Sequence, residues 1–134
     1  MISHRQRLDY ALQSLEGLSV GDAIGESLSY KFYDAREQAD YSVFRDGMVR
    51  YTDDTEMAIG IVEVLASMQT IDSDALSAKF AIRYQKDPDR GYGRMARKIL
   101  RDIGCGESWQ DVSSRAFGNG SFGNGAAMLS LIHI

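Results

Sequence analysis

The chain reads as an all-α protein, and three features of its sequence say so. Apolar residues recur at three- and four-residue intervals over several long stretches, the spacing of one face of a helix. The strict alternation of a half-buried strand is scarce. The single proline, Pro88, lies between two such stretches and interrupts neither.

The first helix is predicted to run through about residue 25. Leu8, Ala11, Leu12, Leu15, Leu18 and Ala23 form its apolar stripe. Gly17, Gly21 and Gly25 fall four apart on one face, where their helix cost would be offset if another backbone or a ligand came close. Residues 29 to 51 carry Tyr30, Phe32, Tyr33, Tyr41 and Phe44 without a sustained period, so an irregular loop with a short helix is expected there. The second long helix should span Asp53 to Met68 and bury Met57, Ile61, Val64, Leu65 and Met68. Asp72-Ser73-Asp74 opens another, carrying Leu76, Phe80, Ile82 and Tyr84. It should stop before Asp87-Pro88, because the residue preceding proline disfavours the helical region. Arg94 to Ile103 form a short basic amphipathic helix ending at Gly104, with Arg94, Arg97, Lys98 and Arg101 as its solvated face. Trp109 to Phe117 make a last short helix.

Composition narrows the function. With 134 residues, 44% hydrophobic and 25% charged, the chain can bury a real core. A net charge of −4 argues against broad electrostatic binding to nucleic acid or an anionic membrane, and no apolar run has the length of a membrane helix. A small phosphate site needs only a few aimed donors and stays open. Cys105 is the only cysteine, which excludes an intrachain disulfide and fits a cytoplasmic protein.

Four segments could carry chemistry. Tyr51-Thr52-Asp53-Asp54-Thr55-Glu56 sets a hydroxyl and two carboxylates at a helix start, where first-turn side chains converge and hard divalent cations find oxygen ligands. The same residues suit helix capping, and Asp53 and Glu56 have the spacing of a capping box. In Gly17 to Glu26, Asp22 suits a bond to a backbone amide, a cap on a neighbouring loop, or contact with a metal-bound water. Glu26 is an acid at a helix end, where the dipole disfavours it. Asp87-Pro88-Asp89-Arg90-Gly91-Tyr92-Gly93 is a turn that could bring Gly91, Tyr92 and Gly93 close to a ligand. Finally, Gly118 to Met128 is rich in Gly and Asn. Its amides could cradle phosphate, with Ser121 adding a hydroxyl and Phe122 a stacking surface.

Taken in order, these segments resemble the ADP-ribosylglycohydrolase family. The resemblance is carried by Gly-Leu-Ser-Val-Gly-Asp-Ala-Ile-Gly at 17–25, Tyr-Thr-Asp-Asp-Thr-Glu-Met-Ala at 51–58, Asp-Pro-Asp-Arg-Gly-Tyr-Gly at 87–93 and Gly-Asn-Gly-Ala-Ala-Met at 123–128. It implies an orthogonal helical bundle with two Mg²⁺ ions, or Mn²⁺, in a central cleft. It implies that Thr52, Asp53 and Asp54 are metal ligands, the two acids also assisting proton transfer. Gly91, Tyr92 and Gly93 would line the substrate, and Ser121, Phe122, Gly123 and Asn124 would hold the diphosphate and ribose. Glu26 stands near a family glutamate with a positioning or acid–base role, a place that Ser29 takes in the other register.

The implied reaction is hydrolysis of the glycosidic bond between ADP-ribose and a protein side chain, or a small ADP-ribose conjugate. A non-catalytic ADP-ribose-binding or crystallin-like structural member of the same fold is the alternative. Residues 1–128 match the N-terminal part of such a domain, and the tail 129–134 departs from the family pattern. The family's later Asp-x-Asp-Thr motif is absent. The expectation is therefore an incomplete domain with weak metal binding and little or no turnover by this chain alone.

Overall fold

In the computed structural model, residues 2–29 and 49–116 and the isolated positions 125 and 129 are described. Five helices and no strand occur among them: α1 His4–Ser29, α2 Asp53–Met68, α3 Ser73–Lys86, α4 Arg94–Gly104 and α5 Trp109–Ala116. The all-α expectation holds. The irregular segment expected over 29–51 lies largely outside the described residues, as do Phe117 and the Gly/Asn-rich segment around 121–124.

Each helix end has a local cause. Thr52 caps α2, its hydroxyl accepting the Asp54 amide, and Gln69 closes the helix in the left-handed conformation with its N–H on Leu65. Asp72 caps α3 by accepting the Ala75 amide at 2.8 Å. The helix stops at Lys86, before Asp87-Pro88, as the proline rule demands.

The helices pack in a chain of neighbours. α2 lies against both α1 and α3, α4 against α3, and α5 against α4. Thus α2 is central among the described helices and carries the largest share of the core: Ala58, Ile61, Val62 and Val64 are buried on it. Tyr84 of α3, Tyr92 and Leu100 form a buried cluster, with Met57 and Phe80 packed against it. Tyr84 and Tyr92 meet edge-to-face at a centroid separation of 5.1 Å, the arrangement their ring quadrupoles favour.

Some apolar positions turn outward. Ile82 is 60% exposed, because Phe80 and Tyr84 share one face of α3 and position 82 falls on the other. Met68 is exposed at the last residue of α2, and Leu12 is exposed on α1. Among the described residues nothing lies within 4 Å of a Cβ built at Gly17, Gly21 or Gly25, so none of them makes the close approach that would offset the helix cost of these glycines. Arg97 also departs from its expected solvated role. It is half-buried, and its Nε donates to the Tyr92 carbonyl at 2.8 Å.

Candidate functional site

The site is organised around the first turn of α2. Helix α1 contributes Asp22, whose Oδ2 accepts the amides of Thr52 at 2.8 Å and Thr55 at 3.2 Å. Both threonine hydroxyls donate to the same carboxylate at 2.6 Å, Thr52 to Oδ1 and Thr55 to Oδ2. Of the roles open to Asp22 in the sequence, bonding backbone amides is therefore one it fills. Glu26 lies four residues further along α1, on the same helical face and half-buried.

The turn between α3 and α4 supplies the other support. The Arg90 carbonyl accepts the Asp53 amide at 2.6 Å. The Arg90 side chain bonds the Tyr51 carbonyl at 3.1 Å, pairs with Asp87 at 2.7 Å and lies 4.2 Å over the Tyr51 ring. Gly91 has φ +88, and a Cβ there would meet Asp53 Oδ1 at 3.4 Å and Thr52 Cβ at 3.5 Å. Gly91 is thus the close-approaching residue of the turn. Tyr92 is buried, and its hydroxyl has no hydrogen-bond partner among the described residues. Among the described residues nothing lies within 4 Å of a Cβ at Gly93.

We expect Gly91→Ala to lower stability by about 1–2 kcal/mol, the cost of holding an L-residue in the left-handed region. Its methyl group would also stand in van der Waals contact with Asp53 Oδ1, in the space beside that carboxylate. Urea unfolding and Mg²⁺ titration of the variant check both effects; unaltered stability would mean that the turn relaxes freely.

A third layer lies below the first turn. Glu56 is only 7% exposed, and its two oxygens accept from the Tyr51 hydroxyl at 3.0 Å and Arg83 Nε at 2.7 Å. Arg83 also reaches Glu63 at 2.9 Å, and Lys79 pairs with Glu63 at 3.4 Å. Burial opposes the Arg83 charge, but Glu56 and then Glu63 outweigh it and raise its pKa. Glu56 makes no return bond to the start of the helix. The capping-box spacing of Asp53 and Glu56 therefore does not act as one, because Thr52 is the cap and Glu56 points to the α2–α3 interface.

Asp53 and Asp54 differ from these satisfied acids. Among the described residues no side chain hydrogen-bonds or ion-pairs with either carboxylate. Partial burial, the adjacent Asp54 charge and, more weakly, Asp22 push the Asp53 carboxyl up to about 6. Partial burial and then Asp22 raise Asp54 as well. Tyr92 is pushed up to about 12 by burial and by the charges of Glu56 and Asp53.

Two adjacent carboxylates that resist ionisation, beside a hydroxyl oxygen, form a donor set that suits a hard divalent cation. Among the described residues no three His, Cys, Asp or Glu side chains gather as a metal-holding group. The cluster 52–54 brings two carboxylates and one hydroxyl oxygen together. Sequence reasoning brought Thr52, Asp53, Asp54 and Gly91 to one place. It missed Arg90 and the Glu56–Arg83 pair, whose only sequence signal is charge inside otherwise apolar or turn-forming segments. Ser121, Phe122, Gly123 and Asn124 lie outside the described residues.

The ADP-ribosylglycohydrolase family profile matches residues 3–134, a range that runs through 129–134. The chain is 35% identical over 126 residues to ADP-ribosylhydrolase ARH3 of Xenopus tropicalis, covering 86% of this chain and 36% of that protein. It is 33% identical over 134 residues to the human ARH3, covering 85% and 36%. The ADP-ribosyl-[dinitrogen reductase] glycohydrolase of Rhodospirillum rubrum is 30% identical over 132 residues, covering 92% and 43%. The chain thus spans about a third of the length of the first curated relatives it matches. No solved structure gives a significant match. On the family profile over residues 3–134 and on these relatives, the chain belongs to the ADP-ribosylglycohydrolase family.

Proposed function

We propose that this chain carries part of the site of a metal-dependent hydrolase that cleaves the glycosidic bond between ADP-ribose and a protein side chain, or a small ADP-ribose conjugate. One observation carries the reading: Asp53 and Asp54 are held side by side at the start of α2, and among the described residues no side chain hydrogen-bonds or ion-pairs with either carboxylate, the Arg97 charge acting on Asp53 only weakly. A cap alone does not call for two such acids, since Thr52 already fills that role.

Thr52, Asp53 and Asp54 would hold Mg²⁺ or Mn²⁺. A bound dication supplies polarisation of the reacting centre and orientation of ribose hydroxyls. The chain's own residues do the rest. Asp22 and Arg90 fix the cluster from two sides, and Gly91 leaves room for a ligand beside Asp53. A carboxyl group with a pKa of about 6 is suited to exchange a proton near neutral pH, which supports an acid–base contribution from Asp53. Glu26 shares the Asp22 face of α1 and is the second candidate for that role.

Two ions repel each other strongly and require several carboxylates. Asp53 and Asp54 are few for that task, so the 134-residue chain should show weak metal binding and little turnover. The test is Mg²⁺ titration of the chain and of Asp53→Asn/Asp54→Asn, with release of ADP-ribose from an ADP-ribosylated protein measured alongside. Loss of Mg²⁺ binding with helical content retained supports the proposal. Equal Mg²⁺ binding by both proteins would end it, and ADP-ribose binding without any hydrolysis by a complete domain would favour a binding module.

A further inference from the structure

Asp22 is not adjacent in sequence to the Thr-Asp-Asp cluster, yet it accepts four hydrogen bonds from the start of α2. Their effect is clearest at the Thr52 hydroxyl, which has one proton and two lone pairs. The proton goes to Asp22 Oδ1 at 2.6 Å, and one lone pair receives the Asp54 amide at 3.3 Å. One lone pair remains. Thr52 can therefore meet a further group only as an acceptor.

The backbone amides are filled in the same way. Thr52 and Thr55 donate to Asp22, Asp53 donates to the Arg90 carbonyl, and Asp54 donates to Thr52 Oγ1. A helix start with open amides attracts anions. Here every N–H from 52 to 55 already has an acceptor, and the groups left over are oxygens. Asp22 accounts for two of the four amides and both threonine hydroxyl protons.

We propose that Asp22 is a positioning residue: by holding the protons of Thr52 and Thr55 and closing their amides, it turns the start of α2 from an anion-seeking end into a cation-seeking one and aims the remaining Thr52 lone pair at a divalent cation. The inference rests on the metal reading given above. In this reading Asp22 acts through the donors it holds: its Oδ2 takes three of the four, and its Oδ1 takes the Thr52 hydroxyl proton.

The test is a double-mutant cycle on the 134-residue chain, with Mn²⁺ alone as the probe and paramagnetic titration as the readout. Asp22→Asn and Thr52→Val should each weaken Mn²⁺ binding about tenfold or more, the size expected for an outer partner of a metal site. Combined, they should weaken it no further than the stronger single change, because Asp22 acts through the Thr52 hydroxyl. Additive losses would overturn the proposal, since Asp22 would then act by its charge alone. Amide hydrogen exchange gives an independent readout. Asp22→Asn should lose protection at Thr52 and Thr55 while Ile61 to Val64 keep theirs, and unchanged protection at both threonines would overturn the anchoring. Should the Asn variant fail to fold, Thr55→Val removes a single bond and should still reduce protection at Thr52 and weaken Mn²⁺ binding. No effect on either would overturn the proposal. A wild-type chain that takes up no Mn²⁺ sinks the metal reading and with it the aiming of Thr52, while the exchange data still decide whether Asp22 anchors the helix.

Discussion

Arg83→Met is expected to destabilise the protein by about 3 kcal/mol or more, the largest single effect on stability among the residues around the site. Removing one partner of a buried ion pair leaves the other charge without compensation. Glu56 is that other charge: it is 7% exposed and has only the Tyr51 hydroxyl and Arg83 as partners among the described residues. A domain's whole stability is on the order of 5–15 kcal/mol, so the loss is large in proportion. Urea unfolding measures it. Adding Glu56→Gln to Arg83→Met should restore much of the loss, because the uncompensated charge is then gone and the amide oxygen can still accept from Tyr51. A loss below about 1 kcal/mol would show that the pair behaves like a solvated one. The effect should reach the functional cluster as well, since Tyr51 immediately precedes the cap Thr52.

Asp53→Asn is expected to do the opposite to stability while removing metal binding. The folded carboxyl has a pKa of about 6, above the ordinary value of about 3.9 that it takes in the unfolded chain. A raised acid binds its proton more tightly in the folded state. Its contribution is favourable below the unfolded pKa and is lost as the pH rises through about 6. At pH 8 the ionised group therefore weighs against folding. After discounting for its partial exposure to water, that penalty is about 1–2 kcal/mol. The Asn variant should be more stable than wild type by roughly this amount at pH 8, and the gain should shrink towards zero at pH 4. Metal binding should fall in the same variant at every pH. Thermal unfolding against pH, without metal, reads the first effect and Mg²⁺ titration the second. A variant that is less stable at pH 8 would mean that Asp53 serves the helix dipole more than a cation. Gain of stability with loss of function is the pattern of a strained functional site.

What could be read from the sequence was what local chemistry decides. The limits of α2 and α3 follow from apolar spacing, from Thr52 and Asp72 as caps and from the Asp87-Pro88 stop, and those helices form where expected. The close approach of the 87–93 turn was legible in Gly91. The ties that hold the site together were not, because they join residues far apart: Asp22 to Thr52 over 30 positions, Glu56 to Arg83 over 27, Tyr51 to Arg90 over 39. A period of 3.6 residues carries no information about such partners. It also overstated α1. Of its stripe Leu12 is exposed and the other members are only half-buried, since the main packing of α1 among the described helices is against α2 alone. Ile82 failed for a simpler reason: it lies two positions from both Phe80 and Tyr84, which turns it away from their face.

The Arg90 peptide has a consequence for anyone who would remodel this protein. Its carbonyl completes the opening of α2, while its side chain grips the residue before the cap. A loop graft or a one-residue deletion between α3 and α4 would therefore detune the two aspartates without touching either of them. Chimeras should exchange that turn together with the α2 opening, as one inherited cassette.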